Sequence, residues 1–407
     1  MSSENEPKVK FATGKIDPNQ LQFMKLIEKQ NQERVQKLKR IKKNNLITGI
    51  TIGATVLAIY GYSMWSVKQE KFLDDFKNLR NFVVNNSRGI RLPPLPTIRE
   101  LVKLYKLQAI KQLSQNFIMD ERLTDKIVRS AGKIEPEDYV LEVGPGPGSI
   151  TRSIVRRQPS RVILVEKDRR FLPTLELLKE CVEPLGTKVD IIKGDILKFS
   201  MVEAIPDEEL SSFRRLHLIG NLPFAISTRL LINWFEDLSL RREAFRKDDT
   251  TMTLTFQKEV ADRICAQLGD EQRCRLSVMS QIWTIPLMKF IIPGKAFVPK
   301  PDVDVGVVKL IPFKEPKTTL PFKTVEKVVR HLFSMRQKYS RRGFSTLFPE
   351  QHREDIADEL MKKAGVDPQL RPFEISNEQC IKLTEVYIDF LNKNPIFGEY
   401  EIEDHDL

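Results

Sequence analysis

The chain has 407 residues, 41% of them hydrophobic and 30% charged, with a formal net charge of +11. That composition excludes wholesale disorder, collagen-like repeats and a disulfide-stapled miniprotein, and the length suggests about two to four domains. The charge is unevenly spread: eleven of the 66 Lys and Arg, against five acids, fall within residues 1–43, and residues 44–67 carry no charge. The sequence reads as two unlike pieces joined end to end. The positive excess suits an anionic partner, either nucleic acid or anionic lipid.

Residues 21–43 place Leu21, Met24, Ile27, Val35, Leu38 and Ile41 near three/four spacing with Lys and Arg between them. This predicts an amphipathic helix within a basic head, residues 1–43. The uncharged run 44–67 is long enough to span about 36 Å as a helix, sufficient for a bilayer core. Tyr60, Tyr62 and Trp65 gather at its far end, where an interfacial aromatic belt belongs. The predicted transmembrane helix has the stronger basic flank before it, which keeps the head on the matrix or cytosol side. The run from Asn45 to Tyr62, followed by Gln69 to Asp75, resembles the cytochrome c oxidase assembly factor 3 family. That likeness implies inner-membrane association through residues 44–67 and respiratory-chain assembly partners for the head. Residues 68–96 read as a linker.

From residue 97 the pattern becomes strand–helix alternation. Strands are expected at Tyr139–Val143, Arg161–Glu166, Val189–Lys193 and His217–Gly220, with helices at Ile150–Arg156 and Phe171–Lys179. This predicts an α/β fold with a mostly parallel sheet, whose ligands bind beyond the carboxyl ends of the strands. The first strand runs into Gly144-Pro-Gly146-Pro-Gly148, with the third glycine one residue early for the dinucleotide fingerprint. Strand two ends at Glu166, where an acid accepts ribose hydroxyls; alone it reads as a solvated strand end. Strand three leads to Asp195-Ile196, where Asp195 alone reads as a helix cap. Strand four delivers Asn221-Leu222-Pro223-Phe224, by itself an Asn/Pro turn. Cys181, Cys265, Cys274 and Cys380 form no Cys-x-x-Cys pair and the four His are scattered, so no metal site is expected.

Taken in order, these motifs resemble S-adenosylmethionine-dependent methyltransferases acting on exocyclic amines. Ser114-Gln115-Asn116-Phe117-Ile118, Thr255–Arg263 and Phe297–Asp304 narrow the likeness to the ribosomal RNA adenine dimethyltransferase family. Met335–Gly343 and Thr346–Pro349 are most similar to its mitochondrial branch, the mitochondrial transcription factor B or dimethyladenosine transferase group. The resemblance implies a Rossmann-like methyltransferase domain (residues 97–313), a small helical RNA-binding domain (314–397) and an acidic tail (398–407). It implies N6,N6-dimethylation of adjacent adenosines in a hairpin of mitochondrial small-subunit rRNA, with S-adenosylmethionine as cofactor.

It also assigns roles. Gly144, Gly146 and Gly148 would pass under the methionine part of the cofactor. Glu166 would hold the ribose, with Lys167 beside the adenine, Asp195 accepting from its amine and Ile196 packing on the ring. Gln115, Asn116 and Ile118 would close the pocket. Asn221 and the Leu222 carbonyl would accept the target amine's hydrogens, with Pro223 fixing the turn and Phe224 stacking on the base. Lys323, Lys327, Arg330, Arg336, Lys338, Arg341 and Arg342 offer a phosphate-facing surface. A span oriented by its basic side would put this enzyme across the membrane from matrix rRNA. The two pieces are therefore expected to act apart, through cleavage in residues 78–96 or as a join of two reading frames. A non-catalytic transcription or ribosome-assembly factor on the same fold is the alternative.

Overall fold

The computed structural model describes residues 116–395 and Phe397, together with the isolated Gln36 and Leu92. The uncharged run 44–67, the linker 68–96 apart from Leu92, Gln115 and the acidic tail 398–407 lie outside the described residues. Among the described residues, no helix is long and apolar enough to cross a membrane.

The central sheet holds β2 (Tyr139–Val143), β3 (Arg161–Glu166), β4 (Lys188–Lys193), β5 (Leu216–Gly220) and β6 (Thr250–Gln257), all parallel, in the order β4-β3-β2-β5-β6. β9 (Val305–Pro312) and β7 (Thr284–Ile292) extend it antiparallel beyond β6. A small separate ladder pairs β1 (Phe117–Ile118) with β8 (Phe297–Val298). The first two predicted strands coincide with β2 and β3, and the next two begin one residue earlier than predicted.

The reason is visible in β3. All six residues of Arg-Val-Ile-Leu-Val-Glu are buried, as expected for a parallel strand covered on both faces. Successive side chains alternate between faces. Val162 and Leu164 join an apolar cluster with α1 (Glu121–Ser130), α2 (Ser149–Val155) and α3 (Leu172–Val182). Ile163 and Val165 join the opposite cluster with α4 (Met201–Ala204), α5 (Phe224–Ser239), α6 (Lys258–Cys265) and α7 (Arg275–Trp283).

The C-terminal helices are α8 (Phe322–Ser334), α9 (Ser340–Ser345), α10 (Arg353–Lys363) and α11 (Asn377–Lys393). Val325, Leu332, Phe344, Leu360 and Leu383 extend the same cluster that holds Trp234 of α5. These helices therefore share one continuous core with a face of the sheet. α11 starts with a reciprocal cap: Gln379 N–H donates to Ser376 Oγ (3.1 Å), and Ser376 N–H donates to Gln379 Oε1 (2.9 Å).

Strand order reverses between β2 and β5. From β2 the chain winds outward to β3 and β4, then returns to β5 on the other side. The loops after β2 and β5 diverge at that point, which opens a crevice at the carboxyl ends of the strands.

Candidate active site

The loop after β2 is built on left-handed backbone, with φ of 64° at Gly144, 54° at Gly146 and 82° at Gly148. Side chains other than glycine rarely adopt that conformation. Gly146 has a second constraint, since a Cβ there would stand 2.9 Å from the Phe117 ring. The loop is tied to the end of β3 through one carboxylate. Gly146 N–H donates to Glu166 Oε2 (2.8 Å) and Asp168 N–H donates to Glu166 Oε1 (2.7 Å). Glu166 is buried, and burial raises its pKa against the pull of these backbone donors. Glu142, two residues before Gly144, is also fully buried, and burial pushes its carboxyl up to about 8.

After β4, Asp195 receives Lys167 Nζ at 2.9 Å and the Leu197 N–H at 3.1 Å. The Lys167 hydrogen bond is the main reason its carboxyl lies below the usual range. The Lys167 side chain is 68% exposed, so this pair sits at a solvated rim.

Asn221 follows β5 directly. Its Nδ2 donates to the Asn116 backbone carbonyl (2.6 Å), and its Oδ1 accepts from the Thr255 hydroxyl (2.7 Å). A backbone carbonyl only accepts, so it fixes which end of the amide faces Asn116. The oxygen is left facing Thr255, which must donate. Thr255 is fully buried, and the register pairing Gly220 with Leu254 places it beside Asn221. The next residue, Leu222, is buried in the core cluster. Pro223 precedes α5 and Phe224 is the first residue of that helix.

These pieces meet around a cavity of about 270 Å³. Its wall includes Asn116, Gly144, Gly146, Glu166, Lys167, Asp195, Ile196, Asn221, Leu222, Pro223 and Phe224. A Cβ on Gly144 or Gly194, both on the wall, would meet nothing within 4 Å; bare backbone there leaves room for a ligand. Two residues assigned to the cofactor stand away from the wall. Ile118 is buried in the apolar cluster beneath α1 and α2, and Gly148 caps α2.

Phe117 lines the cavity in their place, packed edge-on against Phe171 at 5.3 Å between ring centroids. Strand alternation holds the clue: if Ile118 enters the core, Phe117 faces the other way. Thr255 had no such signal, because its role exists only through the β5–β6 register.

The histidines in the core have structural partners: His217 sits between Asp138 and Thr251, and His331 contacts Thr346. Among the described residues no cluster of His, Cys, Asp and Glu could hold a metal. Of the basic side chains offered for a phosphate surface, Lys323 pairs with Glu236 (2.7 Å) and Arg341 with Asp358 (2.9 Å). Lys338 and Arg342 are exposed.

A family model described as ribosomal RNA adenine dimethylase matches residues 106–388. The chain belongs to the ribosomal RNA adenine dimethylase family. It is 68% identical over 313 residues to "Dimethyladenosine transferase 1, mitochondrial" of Drosophila pseudoobscura pseudoobscura, covering 77% of this chain and 92% of that protein. To the protein of the same name in Homo sapiens it is 48% identical over 318 residues, 77% of this chain and 91% of that one. The crystal structure of a dimethyladenosine transferase from Plasmodium falciparum shares the fold, with a TM-score of 0.54, 23% identity, and coverage of 68% of this chain and 98% of that one. Within this adenine dimethylase, the segment 31–79 matches a separate model, cytochrome c oxidase assembly factor 3.

Proposed function

We propose that residues 116–395 bind S-adenosylmethionine in the β2–β5 crevice and dimethylate N6 of adjacent adenosines in a hairpin of mitochondrial small-subunit rRNA. One observation carries this reading: Glu166, Asp195 and the Asn221–Phe224 turn line the same cavity. A bound sulfonium cofactor supplies an electrophilic methyl group. Glu166 holds the ribose and Asp195 the adenine amine, with Lys167 yielding its contact to Asp195. The bare backbone at Gly144 leaves room for the methionine part. Asn116 and Phe117 close the cavity from the N-terminal side.

The adenine amine is a weak nucleophile, because its lone pair is delocalised into the ring. Asn221 Oδ1 spends one lone pair on Thr255 and has a second for the amine. With the Leu222 carbonyl taking the other hydrogen, the nitrogen lone pair is aimed at the methyl. Phe224 stacks on the base, which leaves its own stack to enter. The rate gain comes from alignment rather than acid–base chemistry. After one transfer a single N–H remains, so a second turnover is open.

The test is methyl transfer to a small-subunit rRNA hairpin by wild type and Asn221→Ala. Wild type should yield N6,N6-dimethyladenosine, and the variant should lose about 10²-fold or more with cofactor affinity kept. Equal activity in both would remove the assignment of Asn221. Activity in neither would favour a non-catalytic transcription or ribosome-assembly factor.

For the head, the match at residues 31–79 favours a second reading: residues 44–67 span the inner membrane and serve respiratory-chain assembly, while the enzyme acts separately in the matrix. Immunoblotting of fractionated mitochondria checks this. A single membrane-embedded species near the full-length mass, protease-accessible from the intermembrane space, would overturn it.

A further inference from the structure

Two open cavities flank α6, and their charges are opposite. The first, about 670 Å³, is lined by Glu259, Asp262, Asp270 and Asp304 with Lys258 as its one cation. The second, about 350 Å³, has no carboxylate on its wall; it is lined by Arg263, Arg275 and Arg330, with Thr228, Phe333 and Ser334. An anion entering this region is repelled from the first cavity and drawn to the second.

The second cavity is also next to the target-base turn. Phe224 lines the methyl-transfer cavity and Thr228 lines the arginine cavity. They lie one turn apart on α5, about 6 Å along the axis at about 1.5 Å per residue, on the same face of the helix. The far wall comes from α8, so the arginines stand between the sheet and the C-terminal helices.

Arg263 and Arg275 keep guanidinium donors that no internal pairing consumes. The Arg275 side chain makes no hydrogen bond or ion pair to any described residue. Arg263 gives one nitrogen to Glu259, at 2.5 Å, while its Nε is buried without a partner among the described residues. Guanidinium groups match phosphate oxygens bidentately.

We propose that the Arg263–Arg275–Arg330 cavity is a phosphate-binding subsite that grips the RNA backbone next to the extruded adenosine. It rests on the reading of the chain as an RNA adenine methyltransferase and adds where the substrate strand is held. The subsite anchors the strand one helical turn from the catalytic turn, so that the base rotates out while its backbone stays fixed. It carries no sequence information itself, because backbone contacts position a substrate rather than specify it.

The experiment uses the full chain and a small-subunit rRNA hairpin with wild type, Arg275→Ala and Arg275→Lys. Arg275→Ala should raise KM for RNA about 10-fold and lower the salt slope of binding by about one, with kcat at saturating RNA and cofactor affinity unchanged. Arg275→Lys should fall between the two. A hairpin with one neutral methylphosphonate flanking the target adenosine should weaken wild type and leave Arg275→Ala unaffected. If wild type binds and methylates the hairpin while Arg275→Ala shows the same KM and salt slope, the subsite is overturned. If wild type neither binds nor methylates it, the reading of the enzyme fails instead. Unchanged cofactor affinity in Arg275→Ala separates loss of contact from loss of fold.

Discussion

The two walls of the methyl-transfer cavity are held in different ways. On the β2–β3 side, one carboxylate is clamped by two backbone amides, Gly146 and Asp168, over a glycine loop whose left-handed backbone other residue types rarely adopt. On the β5–β6 side, a single side-chain amide is suspended between one backbone carbonyl and one threonine hydroxyl. The first wall is fixed by backbone amides. The second depends on two hydrogen bonds to groups far away in sequence. A cofactor site needs a rigid cradle, whereas alignment of a weak nucleophile needs one atom pointed correctly.

Short of removing Asn221 itself, breaking the first wall should give the largest effect. Glu166→Ala removes the loop clamp and the proposed ribose acceptor together, so S-adenosylmethionine affinity measured by titration calorimetry should fall about 10- to 100-fold, the range for lost charged hydrogen bonds. Cofactor affinity close to that of wild type would mean the two walls do not divide the work as described.

Loosening the second wall with Asn221 in place should be milder and of a different kind. Thr255→Val keeps the shape and removes the proton donated to Asn221. We expect kcat to fall about 10-fold with KM for RNA and cofactor affinity held, and Thr255→Ser to restore it. A valine variant that loses cofactor affinity instead would point to a packing role.

The smallest effect concerns Glu142 beneath the first wall. Its carboxyl is raised to about 8 in the fold, against about 4.3 for a free glutamate. A raised acid stabilises fully below the unfolded value and loses that contribution as pH rises toward the folded one. Glu142→Gln should therefore gain melting temperature relative to wild type between pH 5 and pH 8, with little difference at the acid end. A gap independent of pH would show that Glu142 is not protonated in the folded protein.

The parallel strands were legible because fully buried strands read as continuous apolar runs. Tyr139–Val143 and Arg161–Glu166 needed no correction. Glu166, Asp195 and Asn221 could be placed from the sequence because each lies at a strand's carboxyl end or within two residues of it, where an α/β sheet places its ligands. Ile118 and Gly148 were misplaced for a common reason. The Ser114–Ile118 and Gly144–Gly148 motifs say that a segment belongs to the site, not which of its side chains faces inward. Phe117 faces the cavity while Ile118 fills the core, and Gly148 turns the chain into α2.

The phosphate surface taught a similar lesson. A count of basic residues along α8 and α9 does not show that Lys323 pairs with Glu236 and Arg341 with Asp358. Arg263 and Arg275 come from α6 and α7, and only packing of α8 against them makes a basic cavity.

By itself the sequence determined four parallel strands of the sheet, the crevice at their carboxyl ends and the order of motifs, because these follow from local periodicity and from residues adjacent in the chain. Tertiary structure alone decided that Thr255 orients Asn221, that Phe117 walls the cavity and that three arginines from separate helices converge. Those roles are made by strand register and helix packing between residues tens to more than a hundred positions apart, and pairing over such distances leaves no mark on the local pattern.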